Sequence, residues 1–374
     1  MSPGLETQLV AILISSACAL SGTFLVLRKM ALMTDAITHT ILFGIVVAYF
    51  ITKDLNSPFL IVGAGLVGVF TVWLTETVVK TKLVSEDSAI GLVFPLLFSL
   101  AIILVTKYVD SIHLDVDSVL LGELAFAPLD RLELFGQDAG PIGMWIGGAL
   151  LLLNVLFITI LYRVLKVSTF DPVLATTLGF SSVIIHYSFM TLVSITAVGA
   201  FQTAGSIMVI AFMIVPPATA YLLSNNLKTI LWLSGAIGAL SSVIGYYFAN
   251  MIDGSIAGAI AVTAGVFFFI ALIFSPQRGV LSVVMKRKRV KESYDRFALL
   301  YHIKNHQGTD SEKVENFIST LVDHFHWGEE KMRKKLATLQ NEGKISVKND
   351  VVYLTQAGFD QTQAYYQAFF ATKA

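Results

Sequence analysis

The chain of 374 residues is 55% hydrophobic and only 14% charged, and its mean hydropathy is +0.73. This composition excludes an ordinary soluble globular protein, because so large an apolar fraction has to be covered by lipid. The formal net charge is zero, and Cys18 is the single cysteine. One cysteine excludes an intramolecular disulfide framework and a cysteine-cluster metal site, so metal ligands would have to be oxygen and nitrogen atoms.

Nine segments of about 20 apolar residues predict membrane-spanning helices. They lie near 8–27, 35–52, 59–79, 89–106, 141–161, 182–198, 203–223, 229–249 and 255–274. No basic region or small-residue cleavage signature accompanies the first of them, which favours a retained span over a removed signal peptide. The pattern predicts an all-α polytopic membrane protein with eight or nine transmembrane helices.

Basic residues predict the orientation of these spans. One set of alternate loops contains Arg28, Lys29, Lys80, Lys82, Arg163, Lys166, Lys228 and Arg278, whereas the other set contains only Lys53, Lys107 and Arg131. The positive-inside rule places the first set in the cytoplasm. Acidic residues are concentrated in the outer loops: Asp110, Asp115, Asp117, Glu123, Asp130, Glu133, Asp138 and Asp253. Such a surface attracts cations.

The second predicted span begins with an acid and an imidazole four residues apart, Asp35 and His39. Residues i and i+4 share one helical face, so the two side chains can bind the same ion. Carboxylate and imidazole together suit Mn²⁺, Fe²⁺ or Zn²⁺ better than Ca²⁺. The alternative is structural, with Asp35 capping the helix and His39 hydrogen-bonded to a neighbouring helix. Ionisable groups inside spans are costly and often mark a transport path, which favours the metal hypothesis.

Two further histidines are candidate functional residues. His186 lies within the segment "SSVIIHYSFM" and is either a packing residue or an additional metal ligand. His113 lies in an outer loop, where it is either solvated or in contact with a metal-delivering protein. Glu76, near the inner end of its span, is expected to extend towards the lipid headgroups.

The connector "FDPVLA", Phe170–Ala175, predicts a short helix between two spans, with Asp171 starting it and Pro172 in its first turn. It follows Arg163 and Lys166 and is therefore predicted to be cytoplasmic. An amphipathic connector is its simplest interpretation. The chain contains no G-x-x-x-x-G-K-[ST] phosphate loop, so any ATP hydrolysis has to take place in a partner.

The sequence changes character after the basic run Lys286–Lys291, which predicts a membrane domain over 1–285 and a separate cytoplasmic domain over 286–374. Helical patterns followed by a short hairpin and a last helix predict a small α+β winged-helix domain. It has 15 Lys and Arg against 11 Asp and Glu, a modest excess that permits nucleic-acid contact without requiring it. His302 and His306 are again four residues apart, but no acid or cysteine nearby completes a metal-ligand set. The tail is expected to contact the ATPase subunits or a second tail, and a dimer could bury the aromatic end "AYYQAFF", Ala364–Phe370.

Four segments resemble, in order and spacing, the permease subunits of bacterial manganese, zinc and iron ATP-binding-cassette importers. They are "SGTFLVLRKMALMTDAITHTILFG", "KTKLVSEDSAIGLVFPLLFSLAI", "VSTFDPVLATTLGF" and "GSIMVIAFMIVPPATAYLL". Two further segments, "LLGELAFAPLDRL" and "HYSFMTLVSIT", are closer to the manganese/iron branch. The resemblance implies that Asp35 and His39 belong to the metal path. It also implies that Phe170, Asp171, Pro172 and Ala175 form a coupling helix that docks on the ATPase. The tail is similar to the DNA-binding domain of metal-dependent repressors, which the ordinary permease pattern lacks.

The resulting hypothesis is a non-enzymatic permease subunit in the bacterial plasma membrane that imports Mn²⁺, or else Zn²⁺ or Fe²⁺. Its implied partners are ATPase subunits that bind ATP, a second permease subunit of the same or a related chain, an extracellular metal-binding protein and membrane lipid. DNA is not expected among them. Two alternatives are an ion-coupled secondary metal carrier and a membrane-tethered metal-responsive transcriptional regulator.

Overall fold

The computed structural model describes residues 2–54, 57, 59–108, 124–134 and 137–370. The chain divides into two compact units, Met1–Val280 and Leu281–Ala374. Eight helices of the first unit are, within the described residues, long and apolar enough to cross a membrane. These eight are α1 (Pro3–Leu27), α2 (Leu32–Thr52), α3 (Phe59–Lys80), α4 (Glu86–Tyr108), α5 (Ile142–Phe170), α7 (Ser182–Leu223), α8 (Leu227–Ile252) and α9 (Ile256–Phe274).

Two small elements complete the first unit. The six-residue helix α6 (Pro172–Thr177) connects α5 to α7. An antiparallel hairpin, β1 (Arg131–Leu134) and β2 (Gln137–Pro141), precedes α5, with a register shift between Arg131 and Glu133. The apolar periodicity did not predict this hairpin, because its strands are polar and only four and five residues long.

Helix α1 forms the centre of the first unit and packs against α5, α7 and α8. It is apolar on all sides, and Val10, Ile14, Cys18 and Phe24 are completely buried. A helix that is apolar all round belongs inside a bundle rather than at its periphery. Small residues let its neighbours come close, as is usual between membrane helices.

The closest approach to α1 is at Gly22, where a Cβ atom would overlap the backbone carbonyl oxygen of Met213 on α7. We expect Gly22→Ala to push the two helices apart and destabilise the unit by about 3 kcal/mol, at the upper end for overpacking. Gly235→Ala is the matched control, because a Cβ at this helical glycine meets no atom within 4 Å. Thermal unfolding of both variants in detergent measures the difference, and equal melting temperatures would contradict this packing.

The two ends of the first unit differ in charge. Arg28, directly after α1, donates to Ser168 Oγ and Thr169 Oγ1 at the end of α5, both at 3.1 Å. Helix α8 starts at the same end, because Thr23 Oγ1 donates to Ser234 Oγ at 3.0 Å. We call this the basic end, and it carries Arg28, Lys80, Lys166, Lys228 and Arg278. The opposite end, where the β1–β2 hairpin meets the start of α1, is the hairpin end.

Helix α7 reverses its direction at Gly205, which has φ 75° and ψ 166°. Its first part runs from the basic end, where the Phe189 ring lies 5.8 Å from that of Phe24, to Thr203, which packs on Gly143 at the start of α5. Its second part returns past Met213 to the basic end. Forty-two helical residues would measure about 63 Å if straight, twice the thickness of a bilayer core. Predicted spans 182–198 and 203–223 are therefore two separate helical arms of α7 that meet at the non-helical residue Gly205.

The second unit begins with α10 (Val280–His306). Its elements are α11 (Glu312–Glu315), α12 (Ile318–Phe325), α13 (Glu329–Asn341), β3 (Ile345–Lys348), β4 (Val351–Leu354) and α14 (Gln356–Phe370). Strands β3 and β4 pair antiparallel from Ile345↔Leu354 to Lys348↔Val351, and Phe317 adds an isolated bridge to Val351. The unit has its own core, which includes Leu299, Leu300, Ile303, Leu321, Met332, Leu336 and Val352.

The aromatic end of the second unit has partners within the chain. The Tyr365 ring lies 6.3 Å from that of Phe297, and the Tyr366 ring is stacked 6.2 Å from that of Tyr301. These contacts cover part of the aromatic surface within the chain itself, so less of it is left to be buried by a second copy. Burial by a dimer therefore remains a prediction with less support than the sequence suggested.

Candidate functional site

Asp35 and His39 form the pair that their spacing predicts. Both lie in the first part of α2, and His39 Nε2 is 3.2 Å from Asp35 Oδ1. Asp35 does not cap the helix, because the N-cap residue is Ala31 and no side-chain cap hydrogen bond is present there. Each side chain is about one-third exposed, 28% for His39 and 35% for Asp35. The pair is therefore accessible to a ligand from one side.

Helix α4 supports the imidazole from the other side. The His39 ring stacks on Phe94 at a centroid distance of 5.5 Å, and the Phe98 ring lies edge-on at 6.1 Å. This aromatic support fixes the ring plane without occupying either ring nitrogen. The structural alternative, a hydrogen bond from His39 to a neighbouring helix, does not describe these contacts.

Among the described residues, no third His, Cys, Asp or Glu joins this pair at metal-ligand spacing. A divalent transition metal takes at least four ligands, so the pair supplies half of a tetrahedral set or less. The remaining ligands have to be water, main-chain oxygen or groups from another chain.

A cavity of about 540 Å³ opens at the basic end, between α3, α4, α5 and α7. The polar groups in its lining are those of Arg28, Thr75, Glu76, Lys80, Glu86, Ser168, Thr169, Ser182, His186 and Tyr187. Such a mixture of charged and hydroxyl groups inside an apolar bundle is costly and indicates a polar path or binding site. Neither Asp35 nor His39 belongs to the lining.

His186 lies in this cavity and contacts Glu76 rather than the Asp35–His39 pair. Its Nε2 meets Glu76 Oε1, and Tyr187 Oη donates to Glu76 Oε2 at 2.7 Å. Glu76 is therefore held inside the bundle by two partners from α7 instead of extending to the headgroups. The sequence did not predict this cluster, because Glu76 and His186 are 110 residues apart. The presence of an acid, Glu76, in an apolar span was the one local signal of a polar site here.

Helix α6 has the local structure that its sequence predicts. Asp171 Oδ1 accepts a hydrogen bond from the Leu174 backbone N–H at 2.9 Å, and Pro172 occupies the first turn. Ala175 is buried against the bundle. The remaining apolar side chains face outward: Phe170 is 60% exposed, and Val173, Leu174, Leu178 and Phe180 are also exposed. We call these five residues the α6 patch.

The hairpin end is fixed by one arginine. Arg131 donates from Nη1 to Glu6 Oε2 at 3.0 Å and from Nε to Asp138 Oδ2 at 2.7 Å, which ties the β1–β2 hairpin to α1. The hydrogen bond from Arg131 is the main cause that lowers the pKa of Asp138, and the Gly140 backbone N–H adds to it. His113 and the acids at 110, 115, 117 and 123 lie outside the described residues.

Residues 5–275 of this chain match the model of a protein family described as the ABC 3 transport family. The chain belongs to the ABC 3 transport family. That match covers nearly all of the first unit and ends before the second.

Two curated relatives cover most of the chain. The zinc transport system membrane protein TroD of Treponema pallidum is 41% identical over 360 residues, which are 96% of this chain and 98% of TroD. The manganese transport system membrane protein MntD of Bacillus subtilis is 42% identical over 271 residues, 72% of this chain and 92% of MntD. The similarity to TroD thus extends into the second unit.

Among solved structures, PsaBC from Streptococcus pneumoniae in complex with Fab matches with a TM-score of 0.63 at 27% identity. The match covers 76% of this chain and 95% of the chain in that structure. The eight apolar helices of the described residues confirm the polytopic membrane protein that composition and hydropathy predicted, and the family match makes it a transport protein.

Proposed function

We propose that this chain is the permease subunit of an ATP-binding-cassette importer that moves a divalent transition metal into the cytoplasm. The observation that carries the proposal is the Asp35–His39 pair, a carboxylate and an imidazole 3.2 Å apart at the start of an apolar helix in a chain of the ABC 3 family. Relatives named for manganese and zinc transport support a transition metal as the cargo. Mn²⁺ is the first choice and Zn²⁺ or Fe²⁺ the alternatives, because the same ligands bind all three.

The pair would act as a transfer point for the ion. Asp35 supplies negative charge and an oxygen ligand, and neutral His39 supplies nitrogen. Water or a second permease subunit would complete the ligand set, and release would require few protein–metal bonds to break. We infer that His186 does not share an ion with the pair, because its imidazole contacts Glu76. The Glu76–His186 contact lines the cavity through which an ion would leave at the basic end.

The α6 patch supports a partner that hydrolyses ATP. Its five apolar side chains lie on a connector at the basic end, and the chain itself has no phosphate-binding loop. Large apolar side chains that remain exposed at a polar boundary are typical of protein interfaces. We infer that an ATPase subunit covers the patch, with Phe170 as the main anchor.

The orientation of the chain follows from its charges. The basic end would face the cytoplasm and the hairpin end would face outward, where an extracellular metal-binding protein delivers the ion. Because both ends of α7 lie at the basic end, the first unit would start at the outer side and end at the inner side. The second unit would then be cytoplasmic.

We propose that residues 286–374 form a winged-helix domain. The end of α10 with α12 and α13 would be its three helices, and β3–β4 its wing. Its basic helix is poorly suited to DNA, since Lys331 and Lys335 lie 3.4 and 3.2 Å from Asp295, and Arg333 lies 2.8 Å from Glu329. A side chain already paired within the domain gains less from a phosphate. A regulatory contact with the ATPase or a second tail is the role that we propose.

Reconstitution tests the proposed function. The chain would be purified with the ATPase that copurifies with it, placed in liposomes, and supplied with ⁵⁴Mn²⁺ and ATP. We expect accumulation with ATP and none with a non-hydrolysable analogue. Uptake driven by an ion gradient without the ATPase would instead establish a secondary carrier and overturn the importer.

Deleting residues 290–374 is expected to leave the first unit folded, because the two hydrophobic cores share no residue. The complex should become less stable or its transport less regulated. Leu336→Asp, a charge in the core of the second unit, should reproduce the effect at full length. The measurements are detergent-solubilised yield, ATPase copurification and initial uptake rate.

The isolated second unit is expected to show no sequence-specific DNA binding. A gel shift of nanomolar, sequence-selective and metal-dependent affinity would contradict this and favour the transcriptional regulator.

A further inference from the structure

Three helices of the second unit bring two imidazoles and a carboxylate together. His302 lies on α10, Glu315 is the last residue of α11, and His324 lies on α12. One potential ligand atom from each lies within 4.8 Å of the others, and no second group of three such residues has this spacing in the described parts of the chain. Sequence reasoning considered His302 and His306 alone, since the residues that complete the set come from other helices.

The distances are close to those of a metal site. With bonds of about 2.0–2.1 Å, the ligands of a tetrahedral zinc ion lie roughly 3.4 Å apart. His324 Nδ1 is 3.5 Å from Glu315 Oε2, and the His302 and His324 rings are 5.3 Å apart between centroids. The three ligand atoms are thus somewhat farther apart than in a metal-bound set, within 4.8 Å of one another.

One carboxylate oxygen of the set has no hydrogen-bond donor. Glu315 Oε2 is buried and makes no hydrogen bond, and its contact with His324 Nδ1 is an ion pair of 3.5 Å. A buried acceptor without a donor costs free energy, and a cation bound to it would remove that cost. The main chain also holds the site together, because His302 Nε2 lies 3.2 Å from the Glu315 carbonyl oxygen. The ring of Phe325 covers His302 at 5.6 Å.

Access to the site is open on one side. The His324 side chain is 49% exposed, whereas that of Glu315 is 27% exposed. His306 lies beside the set, its ring 4.6 Å from His302 and its Nδ1 3.3 Å from Ser311 Oγ. An ion can therefore enter past His324, and one coordination position is left for water.

We propose that His302, Glu315 and His324 form a binding site for a divalent transition metal, of the class Zn²⁺, Co²⁺, Fe²⁺ or Mn²⁺. Two histidines and one glutamate with an open position are an established ligand set for such ions. The bound ion would link α10, α11 and α12. Helices α11 and α12 have only four and eight residues, too few to be stable alone, so the ion would stabilise their positions in the unit.

The test uses the full chain in detergent with His39→Ala as the background, which removes binding at the pair on α2. Co²⁺ alone serves as the spectroscopic probe, and Zn²⁺ alone is titrated against a chromophoric chelator. We expect His324→Ala to remove one bound ion per chain, together with its visible Co²⁺ absorption. Glu315→Gln should weaken binding by about 100-fold. Zn²⁺ should raise the melting temperature of the background chain and have no such effect on His324→Ala.

His326→Asn and Asp323→Asn are the matched controls, because both residues are exposed neighbours of His324 outside the set. They should bind as the background does. His324 is half-exposed and lies outside the hydrophobic core, so its loss leaves folding intact, and circular dichroism without metal checks this. Equal stoichiometry and an equal Co²⁺ spectrum in the His302→Ala, Glu315→Gln, His324→Ala triple variant would overturn the proposal. No transport is measured, so the result is independent of the proposed function.

Discussion

Asp35→Asn and His39→Ala are each expected to lower metal uptake by about 100-fold or more while the complex still assembles. The loss of a first ligand costs at least as much affinity as the loss of its supporting hydrogen bond, which is already 10-fold to 100-fold. Assembly should persist because both side chains are about one-third exposed, so their removal opens no large cavity. Initial uptake of ⁵⁴Mn²⁺ in proteoliposomes is the measurement.

Asp87→Asn is the matched control for Asp35→Asn. Asp87 is also an acid in the first turn of a long apolar helix, but it is exposed and has no histidine four residues later. We expect its uptake to remain near that of the unchanged chain. Normal uptake by either Asp35→Asn or His39→Ala would exclude the pair from the metal path.

The second large effect is expected at the α6 patch. Phe170→Ala removes the most exposed aromatic side chain of the patch, and Asp171→Arg removes the cap of α6 and adds a cation. A buried aromatic anchor at an interface is commonly worth 2 kcal/mol or more, so about a 30-fold loss of ATPase affinity is expected. Metal-dependent ATP hydrolysis and copurification of the ATPase should both fall, with metal binding to the chain unchanged.

Two controls separate docking from local folding. Asn is also a good N-cap residue, so Asp171→Asn should keep coupling if Asp171 acts only by capping α6 and not through its negative charge. Leu152→Ala shortens an equally exposed apolar side chain, 68% exposed on α5 away from the connector, and should have no effect. Full transport by a Phe170→Ala, Asp171→Arg double variant would rule out α6 as the coupling element.

Local features were predictable because their causes are local. The Asp35–His39 pair is four residues apart on one helix, so its geometry follows from helix pitch alone. The capped start of α6 follows from Asp171 and Pro172 in the same way. Composition alone predicted that the chain lies in a membrane. The basic residues in alternate loops predicted which helix ends lie together at the basic end.

The helix count shows where this reasoning stops. Hydropathy separates 182–198 from 203–223, but it does not distinguish two helices joined by a loop from one helix broken at a single residue. Gly205 makes the break without any polar linker, because a glycine tolerates φ 75°. The reversal is established by tertiary contacts: Phe189 and Met213 both contact the end of α1 at the basic end, whereas Thr203 contacts the start of α5 at the opposite end.

The amino-acid sequence by itself determined that this is a membrane protein and how many apolar segments it has. It also determined where an acid and an imidazole share a helical face. The tertiary structure decided which distant groups meet. It joined Glu76 to His186, Arg131 to Glu6, and Glu315 and His324 to His302. The physical reason is that periodicity reports the face of one helix, whereas such clusters depend on how separate helices pack, and no local pattern encodes the register between them.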